Sequence, residues 1–245
     1  MKILYVYAHP EPLSLSGQMK NRALGVFAAE GHDVVLSDLH AMNFEAVHGR
    51  RDFESVRDGE VFRYGSEQSH ATREEGFAAD IQGEIDKLYA CDMVILQFPL
   101  WWFSVPAILK GWIDRVFVYG ALYDHDNRYG TGKLSGRRAM CVLTMGAREN
   151  DFKADGIHGD LWVNLWPLHN GCLHYLGLEV LPPFIAYGTG YLSDAERAEY
   201  VEDYGVYLSN LDTLEPLYFH PDNDFDENGR LKPQVQGRTP AHRKL

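Results

Sequence analysis

Short apolar runs without alternation recur along this chain, separated by longer stretches whose apolar positions repeat every three or four residues. The first run, Ile3-Leu4-Tyr5-Val6-Tyr7-Ala8, has the unbroken hydrophobicity of a parallel strand covered on both faces. A loop from His9 to Ser16 leads into a helix reaching about Glu30. Ser14 or Ser16 can cap it, Met19, Ala23 and Phe27 line one face, and Gly31 stops it. A second strand is expected over residues 33–39. Residues 40–75 are charged and lack clear periodicity, so they read as a long excursion. Residues 76–90 carry a helical stripe of Phe77, Ile81, Ile85 and Leu88. A third strand over 93–98 ends in an aromatic loop, and Pro106 starts the next helix. The fourth strand spans 138–144, a helix is expected over about 167–176, and a fifth strand over about 180–186. The last helix covers 193–212, with Ser193 and Glu196 as a capping box. This alternation predicts an α/β fold, a doubly wound five-stranded parallel sheet of order 2-1-3-4-5. The pattern then stops, so a domain over 1–213 is expected to carry an extension over 214–245 rich in Pro, Gly, Asn and charge.

Composition narrows the partners. The 245 residues fit one generous domain with an appendage, and 45% hydrophobic content supplies a core. A net charge of -12 argues against nucleic acid and against anionic lipid. Cys91, Cys141 and Cys172 lie in apolar segments without metal-ligand spacing, as core residues of a reducing compartment do. The first eight residues look faintly like a secretion signal, but His9-Pro10-Glu11 interrupts the apolar run too early. No segment approaches the roughly 20 apolar residues of a membrane span. A cytoplasmic location is expected.

Three loops, residues 9–16, 99–105 and 145–158, leave the carboxyl ends of strands one, three and four. In a 2-1-3-4-5 sheet they converge on the crevice where such folds bind ligands. The first offers serines and free N–H groups at a positive helix end, which suits an anion, although on these residues alone plain helix capping is the better account of the serines. No Gly-x-Gly-x-x-Gly fingerprint or Walker lysine is present. The second holds Trp101, Trp102 and Phe103, flat side chains that need either a planar cofactor or a subunit interface to cover them. The third begins Thr144-Met145-Gly146-Ala147, whose small residues let backbone approach a ligand. His158 follows it; its imidazole can donate to a developing oxyanion, but a lone histidine in an apolar neighbourhood is more often structural, and by itself it reads so.

The segment Gln97-Phe98-Pro99-Leu100-Trp101-Trp102-Phe103, continued by Pro106-Ala107-Ile108-Leu109-Lys110-Gly111-Trp112, resembles the flavin-dependent NAD(P)H:quinone oxidoreductases. That family includes DT-diaphorase and the bacterial quinone reductases that accompany glutathione-gated potassium efflux systems. Ser37 to Phe44, Gly156-Ile157-His158-Gly159-Asp160, and Trp166-Pro167 leading to Gly171 agree as well, so the resemblance runs from residue 2 to about 220. It implies a flavodoxin-like fold, a homodimer, FAD in preference to FMN, and ping-pong two-electron (hydride) transfer from NAD(P)H to a quinone. By the same resemblance, His9, Ser14, Leu15 and Ser16 match the pyrophosphate and ribityl loop. Pro99, Leu100, Trp101, Trp102 and Phe103 match the wall beside the ring. Thr144, Met145, Gly146 and Ala147 match the loop facing its polar edge, and Arg197 a basic residue near the adenosine half. Tyr175 matches an aromatic lining the quinone pocket from the partner subunit, Tyr123 is a further pocket candidate, and His158 matches the catalytic histidine.

Two departures stand out. The tyrosine that accompanies this histidine in the family is Phe152 here, and Trp101 replaces a small polar residue. The first keeps a rival reading open: a flavin-bound regulatory subunit associated peripherally with a membrane potassium transporter. A second rival keeps the fold and changes the acceptor to azo or nitro compounds.

Overall fold

Strands whose residues are apolar on both faces form the centre of the computed structural model, which describes residues 1–242. β1 (Lys2–Tyr7), β2 (Asp33–Asp38), β3 (Met93–Pro99) and β4 (Arg138–Thr144) pair in parallel in the order β2-β1-β3-β4. The fifth position is shared by β5 (Glu179–Val180) and β6 (Phe184–Ala186), both parallel to β4. The single strand expected there is interrupted at Pro182 and Pro183, which have no N–H to give a ladder. The order 2-1-3-4-5 stands, with its last place divided.

Alternate residues of each strand feed two apolar layers. Leu4, Val94, Leu96, Cys141 and Leu143 face α3 (Ala79–Ala90), α4 (Ala107–Val116) and α5 (Leu161–Leu168), with Ile81, Trp112 and Leu165 packed on them. Ile3, Tyr5, Ile95, Met140 and Val142 face α1 (Leu15–Ala29) and α6 (Asp194–Ser209), through Met19, Phe27, Tyr204 and Leu208. Among the described residues no helix is long and apolar enough to cross a membrane.

Three elements differ from the sequence expectation. The excursion contains α2 (Tyr64–Glu74), whose buried residues are Glu67, Gln68 and Ala71, so no apolar stripe announces it. The helix expected from Pro167 starts earlier, where Asp160 accepts from the Trp162 N–H. It runs through Pro167 and widens into a π turn at His169–Leu173. The helix expected from Gly76 begins at Ala79.

The excursion is not loose. Arg115 of α4, fully buried, binds Asp52 through Nε at 3.0 Å and Nη2 at 2.9 Å. It also binds Asp80 and the Glu45 carbonyl, each at 2.8 Å. Tyr64 closes the group by donating to Asp52 at 2.7 Å. A buried guanidinium is tolerated only when its fork is filled in this way. After α6 the chain lies over the sheet edge and α5: Leu217 N–H donates to the Val180 carbonyl at 2.8 Å, and Phe219 stacks on His174.

Candidate active site

The parallel order brings the ends of β1, β3 and β4 side by side, and the three loops meet there. Ser14 caps α1, its Oγ accepting from Gly17 N–H at 3.1 Å, and it lies 3.2 Å from His9 Nδ1. Gly17 has no room for a side chain, since a Cβ would stand 2.0 Å from the Pro12 carbonyl oxygen. The N–H groups of Leu15 and Ser16 donate to nothing among the described residues, as the first turn of a helix leaves them. The Ser16 hydroxyl beside them is buried and accepts from Gln97 Nε2 at 3.1 Å, which fixes its oxygen and leaves its O–H to donate. The Ser14 O–H is spent on the Glu11 carbonyl at 2.7 Å, so the donors this loop keeps for an anion are the Leu15 and Ser16 N–H groups and the Ser16 hydroxyl. Burial, together with the nearby His40 imidazole, pulls the His9 imidazole below its ordinary range.

The second loop is a strained two-residue hairpin. Trp101 N–H donates to the Ser104 carbonyl at 3.1 Å, and Ser104 N–H returns a bond at 3.0 Å. Between them Trp102 and Phe103 have φ of +50° and +59°. Turns with two positive φ values are normally built from Asn and Gly. Bulky aromatics there cost on the order of 1–3 kcal/mol each, and such strain gathers at ligand sites. The result is a Trp102 side chain that is 94% exposed, with Trp101 and Phe103 half-exposed beside it.

The hairpin is stitched to the third loop through Leu100 N–H and the Thr144 carbonyl, 2.9 Å apart. Met145 spends its N–H on the Ala186 carbonyl at 3.0 Å, so it cannot serve a ligand's edge. Gly146 and Ala147 keep theirs uncommitted among the described residues. The chain then folds tightly back on itself: a Cβ on Gly156 would meet the Asn150 carbonyl oxygen at 2.3 Å, and His158 N–H donates to the Asp151 carbonyl at 2.9 Å. This turn carries the His158 ring to within 5.1 Å of Phe103 and 5.0 Å of Phe152, while Phe103 and Phe152 stand 5.9 Å apart. Phe152 itself is buried.

Not every expected residue gathers here. Tyr123 and Tyr175 touch each other at 5.4 Å, and Tyr175 touches Tyr129 at 4.9 Å. Neither has a ring contact with Phe103 or His158 among the described residues. They line a separate cavity of about 560 Å³ with His48, Tyr64 and Cys172. Burial and the neighbouring Tyr175 and Tyr119 hydroxyls push the Tyr123 phenol up. Arg197, near the start of α6, donates to the carbonyls of Thr189 at 2.7 Å and Leu192 at 3.4 Å, holding the loop after β6. The sequence reading passed over Gln97, a lone polar residue in a buried apolar strand. That position was the signal for what it does.

A planar, phosphate-bearing group fits these residues: an exposed aromatic hairpin to cover, uncommitted N–H pairs at Leu15–Ser16 and Gly146–Ala147, and an imidazole beside the aromatics. Comparison with known proteins gives the family. Residues 1–208 match the family described as the flavodoxin-like fold. The chain is 41% identical over 217 residues to a ribosyldihydronicotinamide dehydrogenase [quinone] of Pongo abelii, covering 88% of this chain and 94% of that one. It is 38% identical to NAD(P)H dehydrogenase [quinone] 1 of Cavia porcellus, over 93% of this chain and 83% of the relative. Among solved structures, a candidate quinone reductase from Klebsiella pneumoniae superposes with a TM-score of 0.92 at 37% identity, covering all of both chains. General stress protein 14 of Treponema denticola, solved with FMN, shares the fold at a TM-score of 0.61 and 21% identity, over 86% of this chain and 99% of that one.

Proposed function

We propose, from the premise that this chain belongs to the flavodoxin-like family of quinone oxidoreductases, that it is an NAD(P)H dehydrogenase acting on quinones. Its flavin is FAD, and it works as a homodimer in the cytoplasm. The observation that carries the reading is the hairpin at Trp102 and Phe103. Its strain is explained by a planar group stacked against it, and the remaining donors of the crevice lie around that position.

When bound, flavin supplies the hydride chemistry between NAD(P)H and quinone. The chain's own residues do the rest. The Leu15 and Ser16 N–H groups, at the positive end of α1, hold phosphate oxygens. Gly146 and Ala147 N–H and the His158 imidazole face the polar side of the crevice, where negative charge is to be stabilised. Trp102 and Phe103 offer flat faces and exclude water, and nicotinamide and quinone use the same slot in turn.

FAD is favoured by Arg197, which orders the loop after β6 and leaves Nη1 for an adenosine half. Dimerisation is favoured by the aromatic pair Tyr123–Tyr175, which lies apart from His158 and would reach a partner's crevice. It is also favoured by the exposed apolar side chains of Leu13, Trp102 and Ile157, which need cover. Buried Cys91 and Cys141, both free thiols, suit a reducing compartment.

The test is the absorbance spectrum of the purified protein, mass spectrometry of the released chromophore, and steady-state NADPH oxidation with a benzoquinone. A yellow, FAD-bearing dimer that turns over is expected. A colourless protein that refuses added FAD and FMN overturns the reading. A flavin-loaded protein without turnover would point to the regulatory subunit instead.

A further inference from the structure

A chain of four buried polar side chains crosses the core from α6 to the first turn of α1. Tyr204 OH lies 3.0 Å from Tyr5 OH, and Tyr5 OH donates to Gln97 Oε1 at 2.5 Å. Gln97 Nε2 donates to the Ser16 carbonyl at 2.6 Å and to Ser16 Oγ at 3.1 Å. Because Gln97 Oε1 can only accept, Tyr5 must donate to it and therefore accepts from Tyr204. The hydrogen direction is fixed throughout, ending on Ser16. All four residues are buried, and they sit in the layer of Ile3, Met19, Ile95 and Phe27 that also holds the ring of Tyr7.

Such an arrangement is an expensive way to fill space. Apolar side chains of the same shape would stabilise that layer at least as well, and a polar chain in it is tolerable only when complete. What it adds is placement. Ser16 is the second residue of α1, directly beside the uncommitted Leu15 and Ser16 N–H groups, and Gln97 grips it by both backbone and side chain. Ser14 holds the same turn from outside by capping Gly17.

We infer that Gln97, braced by Tyr5 and Tyr204, is a positioning residue that presets the first turn of α1 for the phosphates of the cofactor. The inference rests on the flavin reading above and deepens it. Gln97 touches no ligand: it lies beneath the turn, and its influence passes through Ser16. A residue that only stabilised the fold would affect every flavin alike. One that presets the helix end should matter for ligands carrying phosphate and not for those lacking it.

The experiment is a fluorescence titration of the full-length, flavin-stripped protein with FAD and, separately, with riboflavin, which has the same ring and no phosphate. Wild type is compared with Gln97→Leu and Tyr5→Phe, with circular dichroism as the check on folding. Gln97→Leu is expected to weaken FAD binding by about tenfold or more, the effect of losing one well-made hydrogen-bonded contact, with riboflavin affinity unchanged. Tyr5→Phe, which leaves Gln97 bonded to Ser16, is expected to show the same selective loss at smaller amplitude. Equal losses for both ligands, or no loss for either, overturn the inference. If Gln97→Leu does not fold, Tyr5→Phe and Tyr204→Phe decide it by the same difference between ligands, whose absence overturns it. Wild-type protein that binds neither ligand overturns the flavin reading itself, a result separable from any behaviour of the variants.

Discussion

Phe103 and His158 meet edge to face, ring centroids 5.1 Å apart, although one comes from the loop after β3 and the other from the turn after β4. The contact places an imidazole against the aromatic wall, and among the described residues neither ring nitrogen has a hydrogen-bond partner. Replacing His158 with Gln is therefore expected to lower quinone turnover by about 10²-fold or more, the usual worth of a positioned proton donor. Flavin should remain bound. Steady-state rates and the flavin-to-protein absorbance ratio check this, and unchanged turnover would remove His158 from the mechanism.

Phe152 completes that triangle at 5.0 Å from His158. Phe152→Tyr adds a hydroxyl at the edge of the same group, where it can share the imidazole's proton. Turnover is expected to rise severalfold, with the flavin spectrum unchanged. Equal rates for the two proteins would show that the imidazole does not need the second group.

The hairpin makes a prediction of opposite sign for stability and binding. Trp102 holds φ at +50°, a conformation that glycine adopts freely. Trp102→Gly is expected to stabilise the flavin-free protein by about 1 kcal/mol while weakening flavin retention, the exchange of stability for function that strained sites display. Thermal unfolding of the apo-protein and flavin loss on gel filtration measure the two halves. A variant that is less stable and still retains flavin would contradict both.

His169 gives a pH dependence. It is 2% exposed, its Nε2 has no partner among the described residues, and burial lowers its pKa from 6.5 to about 4. The folded protein therefore keeps this ring neutral where the unfolded chain would bind a proton, so stability falls as pH drops from about 6.5 towards 4 and is unaffected above that window. At pH 5 the loss from this one group is about 2 kcal/mol. Urea unfolding at pH 7.5 and pH 5 should show the decrease in wild type to exceed that in His169→Leu by that amount. Equal decreases would mean that the imidazole is solvated.

Unbroken apolar runs located β1, β3 and β4 because these strands are buried on both faces, and α1 and α6 were located because their caps, Ser14 and Ser193, are written in the sequence. Periodicity missed α2, whose buried face is Glu67 and Gln68: a helix held by hydrogen bonds carries no apolar stripe. It misplaced the start of α5 because Pro167 imitates a helix beginning, whereas Asp160 is the cap. The loops of the site were legible through their aromatics and glycines. The identity of the groups left free was not, since the Met145 N–H is claimed by Ala186, a partner distant in sequence, and the Ser16 oxygen is fixed by Gln97.

The interruption at Pro182 and Pro183 has a consequence for how these molecules can associate. A parallel sheet with a bare flank invites another chain to continue it, the route by which native proteins polymerise. Here the flank is cut into pieces two and three residues long, and Leu217 already occupies a carbonyl on the first of them. Copies of this protein cannot zip their sheets together along that side.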